Sequence, residues 1–219
     1  MARLLLSAGL SVGTLKTGEL SDGNEANLLG EDALMETLAQ KNIERFSQLG
    51  VTKIITLSPH SYHIFKTAYP GLGGNYQVSH YTQILAALLQ KGQLKAPDAS
   101  GLRITFHDPC FLGRWNHEYD APRNVIKSFK GAQLKEMERC RNGALCCGGG
   151  SGNFFTDFLG GSEDSPARIR IRQAVETQAQ ILAVACPNCL TMLEDACISE
   201  GLEKDIIVKD ISELFFTRQ

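Results

Sequence analysis

Five cysteines in the second half of the chain are spaced for shared chemistry: Cys110, the adjacent pair Cys146 and Cys147, and the C-x-x-C of Cys186 and Cys189. Thiolates are soft ligands, so such a set suits zinc, an iron–sulfur cluster or a redox dithiol rather than a hard cation. An adjacent pair does not easily join three further sulfurs around one tetrahedral ion. It can serve neighbouring irons of a cluster, each of which needs its own thiolate. The pair runs into "GGGSG", where glycines permit positive φ and close backbone approach, letting peptide N–H groups donate to sulfur. "CPNC" stands between the apolar run "QILAVA" and the helical pattern "LTMLEDACI", where a helix N-terminus favours thiolate over thiol.

Two simpler readings stay open on these residues. One zinc could take four of the five cysteines, and a thioredoxin-like dithiol would need only Cys186 and Cys189. Cys197 lies two helical turns beyond Cys189, about 12 Å along the axis, and reads as a small buried hydrophobe. Cys140 reads as a loop residue, not a ligand. His107 and Arg114 flank Cys110 and could meet a substrate, tune a cluster or simply make loop hydrogen bonds. His60 and His63, three apart in "SPHSYH", read as ordinary hydrogen-bonding histidines. The full dinucleotide fingerprint is absent, which argues against NAD or FAD.

The elements that must position these residues alternate between strand and helix. Asp32 to Leu49 has apolar spacing for one helix face, and Gly50 stops it. Val51–Leu57 reads as a buried strand, followed by "SPHS", a helix to about Ala68, the turn "YPGLGGN", a strand near Tyr76–Val78 and a helix over Tyr81–Gln90. Later, Ser165-Pro166 opens a helix to about Gln178, and "DIIVKDISELFF" supplies another strand and helix. The two stretches repeat. Ser58, Pro59 and Ser61 fall on Cys186, Pro187 and Cys189 at an offset of 128, Val78 and Leu85 on Val208 and Phe215 at 130, and "SDG" at 21–23 on "CCG" at 146–148 at 125. An internal duplication follows, with a boundary in "KGQLKAPDAS" that separates residues 1–98 from 99–219. The expected fold is α/β, two pseudo-symmetric halves, each a small mostly parallel sheet flanked by helices. Residues 58–61 should overlay 186–189 in backbone while binding no cluster.

Composition sets the outer bounds. Of 219 residues, 43% are hydrophobic and 21% charged, as in a soluble globular protein, and the formal net charge of −2 gives no reason to expect nucleic acid as partner. No apolar run reaches the length of a membrane span. "MARLLLSAGL" lacks a clean cleavage site and reads as a helix turn feeding a strand rather than a signal peptide. All seven cysteines lie at or after Cys110, an odd and clustered set that favours metal or redox chemistry in the cytoplasm over a disulfide framework.

"TFHDPCFLGRWNHEYDAPRNVI", "CCGGG" and "ACPNCLTML" together resemble the CCG (cysteine-rich) domain of heterodisulfide reductase catalytic subunits and related iron–sulfur oxidoreductase subunits. The resemblance implies an iron–sulfur cluster of 4Fe-4S type, including the noncubane form, held by Cys110, Cys146, Cys147, Cys186 and Cys189. It also implies an electron-transfer or disulfide-reducing role, with other redox subunits or a ferredoxin-like or flavin domain as partners and a disulfide or small molecule as substrate. Such proteins carry tandem copies. Here the first copy has no cysteine and no counterpart of "TFHDPC", so cleavage between two clusters is not expected. This leaves an excised piece and a natural short subunit both open. A zinc-bound scaffold is the alternative.

Overall fold

A computed structural model describes residues 1–150, 153–156 and 161–216. The first half supplies α1 (Ala2–Ser7), α2 (Asn24–Leu28), α3 (Asp32–Gln48), β1 (Lys53–Thr56), α4 (Pro59–Thr67), β2 (Gln77–His80) and α5 (Tyr81–Gln90). The second supplies β3 (Arg103–Phe106), α6 (Asp120–Lys127), β4 (Gln133–Leu134), α7 (Asn153–Thr156), α8 (Pro166–Glu176), β5 (Ile181–Val184), α9 (Pro187–Ser199) and β6 (Ile207–Asp210), followed by a 3-10 turn over Ile211–Phe216. Every strand pair is parallel: β1 with β2, and a second sheet in the order β4-β3-β5-β6. The α/β class with two small parallel sheets flanked by helices is therefore the one the chain adopts.

The offsets read from sequence reappear as geometry. Ile54 pairs with Val78 in the first sheet as Leu182 pairs with Val208 in the second, so β1 and β2 repeat β5 and β6 in register. Both α4 and α9 open on a proline after an extended residue, Ser58 with ψ 128° and Cys186 with ψ 127°. Proline suits that first position because its missing N–H has no helical partner there. Gly23 and Gly148 both take positive φ, 86° and 80°. Each then sends its N–H back to the side chain two residues earlier, Ser21 Oγ at 3.2 Å and Cys146 Sγ at 3.3 Å.

Some local expectations shift. The strand expected at Tyr76–Val78 runs to His80, and the helix expected from "LTML" begins at Pro187, which puts Cys189 inside its first turn. The N-terminal run does form a helix, but it feeds no strand among the described residues. Gly9 ends it in the left-handed region, and Leu10 and Val12 then pack on the core without pairing. Ser151 and Gly152 of "GGGSG" lie outside the described residues.

β5 is buried on both faces, and its alternation divides the interior. Ile181, Ala183 and Ala185 join a core with Tyr81, Leu85 and Leu88 of α5 and Val125 and Ile126 of α6. Leu182, Val184 and Cys186 join a second core with α8 and α9. The first of these takes residues from both sides of position 98, and Tyr81 Oη also donates to Asp210 Oδ2 at 2.5 Å across the halves. A third, smaller core lies under α3 and α4.

Leu85 is fully buried in the shared core. Leu85→Ala should cost about 2–5 kcal/mol, read by urea denaturation as a lower midpoint of one transition reported alike by Trp115 fluorescence and far-UV circular dichroism. Two separate transitions, with only one displaced, would contradict a common core.

Candidate metal centre

Site and strand order are linked. β3 and β5 are neighbours although β4 lies between them in sequence, so the chain leaves their carboxyl ends in opposite directions. In open parallel sheets that crevice is where ligands bind. β3 leads through His107-Asp108-Pro109 to Cys110, and β5 leads through Ala185 to Cys186 and, one turn into α9, Cys189. Cys146 and Cys147 arrive from the loop after β4, ending at the left-handed Gly148. A Cβ on the next residue, Gly149, would sit 2.7 Å from Met192 Cγ and 3.7 Å from Cys147 Sγ, so only glycine lets the loop lie this close to α9.

All five sequence-predicted cysteines converge. Cys110 and Cys146 have sulfurs 3.9 Å apart and are half-buried; Cys147 and Cys189 are 3.3 Å apart and buried, as is Cys186. All are free thiols. Hydrogen bonds from Cys110 and then Cys147 hold the Cys146 thiol well below its ordinary pKa, helped by the Gly148 N–H. Cys186 is lowered by a hydrogen bond from Cys189 and then by His60. The neighbours that keep their protons are pushed up: Cys110 by its bond to Cys146, Cys147 by the same thiolate, and Cys189 by Cys147 and Cys186.

Cys140 and Cys197 stay out of this set. Cys197 is buried with its Sγ 3.5 Å from the Ile206 carbonyl, and Cys140 is half-buried before a 3-10 turn. Arg114 donates to the Ala144 carbonyl at 3.2 Å and lines the cleft, of about 670 Å³, that opens on Cys110 and Cys146. Phe111 and Trp115 form its aromatic wall, their rings stacked at 5.7 Å, and Trp115 is exposed. His63 meets Asn116 at 3.2 Å, as an ordinary hydrogen-bonding histidine does. His60 does more than expected. It comes from the cysteine-free half, packs tilted against Phe111 with ring centroids 4.2 Å apart, and lies close enough to Cys186 for the two to shift each other's titration. Burial works against its charge, but the hydrogen bond and charge of Cys186, with Glu25 and Asp22, leave its pKa raised.

The loop that carries Cys110 is anchored by residues that spacing alone did not single out. Arg123 of α6 is almost fully buried and makes two forked ion pairs, to Asp108 at 2.7 and 2.9 Å and to Glu136 at 2.6 and 2.9 Å. The Arg141 N–H also donates to Asp108 at 2.7 Å. Burial opposes the guanidinium charge, yet hydrogen bonds to Asp108 and Glu136 override it and hold its pKa above the usual value. One arginine thereby ties the start of the Cys110 loop to the segment that leads to Cys146.

In the first half the equivalent positions are closed by hydrogen bonds. Ser61 Oγ donates to Asp22, the counterparts of Cys189 and Cys147, and Ser58 Oγ accepts from the His60 N–H at 3.2 Å.

Residues 104–194 match the family model for the cysteine-rich CCG domain. Nearly the whole chain is also similar to parts of larger proteins. It is 39% identical over 221 residues to the EtfAB:quinone oxidoreductase of Syntrophomonas wolfei subsp. wolfei, covering 99% of this chain and 31% of the relative. The probable iron-sulfur-binding oxidoreductase FadF of Bacillus subtilis is 39% identical over 97% of this chain and 30% of its own length. A dihydromethanophenazine:CoB--CoM heterodisulfide reductase subunit of Methanosarcina barkeri is 32% identical over 97% of this chain and 53% of its own length. The chain therefore spans only a third to a half of these relatives.

Arg123→Met would leave the buried Asp108 carboxylate unpaired and should cost about 3–5 kcal/mol in chemical denaturation. A loss under about 1 kcal/mol, the worth of an exposed pair, would contradict the anchoring role.

Proposed function

We propose that this chain is the redox module of an iron–sulfur oxidoreductase and that Cys110, Cys146, Cys147, Cys186 and Cys189 hold one cluster of 4Fe-4S type, the noncubane form included. The observation that carries this is the spread of the five thiols. Four sulfurs around one zinc lie within a tetrahedron of ~2.3 Å bonds. Among the described residues, the one group of three or more ligand-type side chains whose atoms lie within 4.8 Å of one another contains only two of the cysteines, with His107. A row of thiols wider than one ion fits several metals bridged by sulfide.

A cluster supplies one-electron transfer when bound. The chain's own residues fix and adjust it: the Gly148 N–H already donates to Cys146 Sγ, and α9 directs its N-terminus at Cys186 and Cys189. The cleft beside Cys110 and Cys146 gives a disulfide or other small molecule access to the half-buried end. We assign residues 1–98 as a CCG copy that keeps the frame without the ligands, and residues 99–219 as the copy that binds. Electrons come from other redox subunits or from a ferredoxin-like or flavin domain. A cytoplasmic location accords with the described residues, in which no helix is long and apolar enough to cross a membrane.

One zinc on His107, Cys147 and Cys189 is the competing reading, because those three atoms are compact. Anaerobic reconstitution with iron and sulfide separates the two. Several irons per chain, with visible absorption that is lost in Cys146→Ala or Cys147→Ala and kept in Cys140→Ser and Cys197→Ser, is expected. A single tightly held zinc with no iron uptake would refute the cluster.

A further inference from the structure

His107 and Arg170 are both fully buried, yet each keeps a side-chain nitrogen with no hydrogen-bond partner among the described residues: His107 Nε2 and Arg170 Nη2. Resting on the iron–sulfur reading above, we propose that Arg170 fixes His107 as its Nε2–H tautomer and that this N–H donates to sulfur at the buried Cys147–Cys189 end of the cluster.

The placement follows from strand alternation. Ile104 and Phe106 of β3 face the shared core, so Thr105 and His107 face the opposite side, toward α8. The His107 N–H continues the β3–β5 ladder to the Ala183 carbonyl at 3.0 Å, which fixes the direction of the side chain. From α8, Arg170 Nε approaches His107 Nδ1 to 3.1 Å. Guanidinium nitrogens only donate, so Nδ1 must offer its lone pair. A proton on Nδ1 would set N–H against N–H. The ring proton therefore sits on Nε2, which makes that nitrogen a donor without a lone pair for a metal.

A ring nitrogen of His107 lies within 4.8 Å of the sulfurs of both Cys147 and Cys189. A buried donor without an acceptor is unfavourable, and sulfur of a bound cluster is the acceptor this position can reach. Arg170 points the same way. Its Nη1 is satisfied by the Arg139 carbonyl at 2.7 Å and Gln173 at 3.0 Å. No described carboxylate pairs with it, because Asp108 is taken by Arg123. A buried cation of this kind is balanced by an anionic thiolate cluster. His107 is thus a positioning and tuning residue rather than a ligand. Hydrogen bonds to cluster sulfur favour the more negative, reduced state, so they raise the reduction potential.

Two measurements test this. In the metal-free protein, 15N NMR of labelled histidine, with the His107 signals assigned through His107→Gln, should give a pyridine-type Nδ1 and a pyrrole-type Nε2. The reverse pattern would overturn the tautomer. In the reconstituted protein, EPR-monitored redox titration should show His107→Leu with unchanged iron content and a lower potential, by about tenfold in the one-electron equilibrium constant, about 59 mV. His107→Gln, which keeps an N–H near that place, should recover most of the shift, and Arg170→Met should move the potential the same way. An unchanged potential in His107→Leu overturns the donor role, as does loss of iron on that substitution from a chain that circular dichroism shows folded. If wild type takes up no iron at all, the cluster reading itself has failed, and the iron count distinguishes that from failure of the His107 assignment.

Discussion

The parallel pairing of β3 with β5 is the constraint on which the rest depends. It places strands far apart in sequence side by side, both ending at the same edge, with Cys110 beyond one and Cys186 and Cys189 beyond the other. Because β5 is buried on both faces, its alternation also decides which residues meet the site. Cys186 falls on the face shared with α8 and α9, and His107, just beyond β3, falls toward the same α8. A one-residue slip between the two strands would turn one of these residues away from the centre. Cys146 and Cys147 are then delivered by a loop whose two ends are tied through Arg123, Asp108 and Glu136.

The cysteine-free half is part of the same architecture. Its sheet repeats the β5–β6 pairing, and its α4 starts where α9 starts, but Asp22 and Ser61 close on each other where Cys147 and Cys189 stand in the second half. Its contribution to the centre is a wall: His60 against Cys186 and Phe111, and Tyr81 bonded to Asp210. The shared core under α5 and α6 holds that wall in place.

Much of this is legible in the sequence for definite reasons. Strand runs, the Ser-Pro and Cys-Pro helix starts and the turn glycines are local signals, so the duplication offsets carry over directly into register. The five cysteines are recognisable because their type and spacing suit little else. The supporting charges are not. In "RIRIRQ", residues two apart on a helix point to opposite sides. Arg168 and Arg172, four apart, reach Glu200, while Arg170 turns inward to His107. Arg123 and Asp108 are 15 residues apart, and no local pattern pairs them before the chain folds. "SPHS" reads as a site emptied of its ligands, and its Ser61 meets Asp22 while its Ser58 accepts from the His60 N–H. His60 within it nevertheless lies near the centre, where Cys186, 126 residues away in the chain, raises its pKa, and no local pattern encodes that proximity.

The central claim is that one centre, on the second sheet only, collects all five thiols around several metals. Native mass spectrometry of the anaerobically reconstituted chain tests it most directly. The account predicts a single added mass of one iron–sulfur cluster per chain, absent when Cys110 and Cys186 are both replaced by Ala. Two clusters per chain, or the mass of one zinc ion alone, would contradict it.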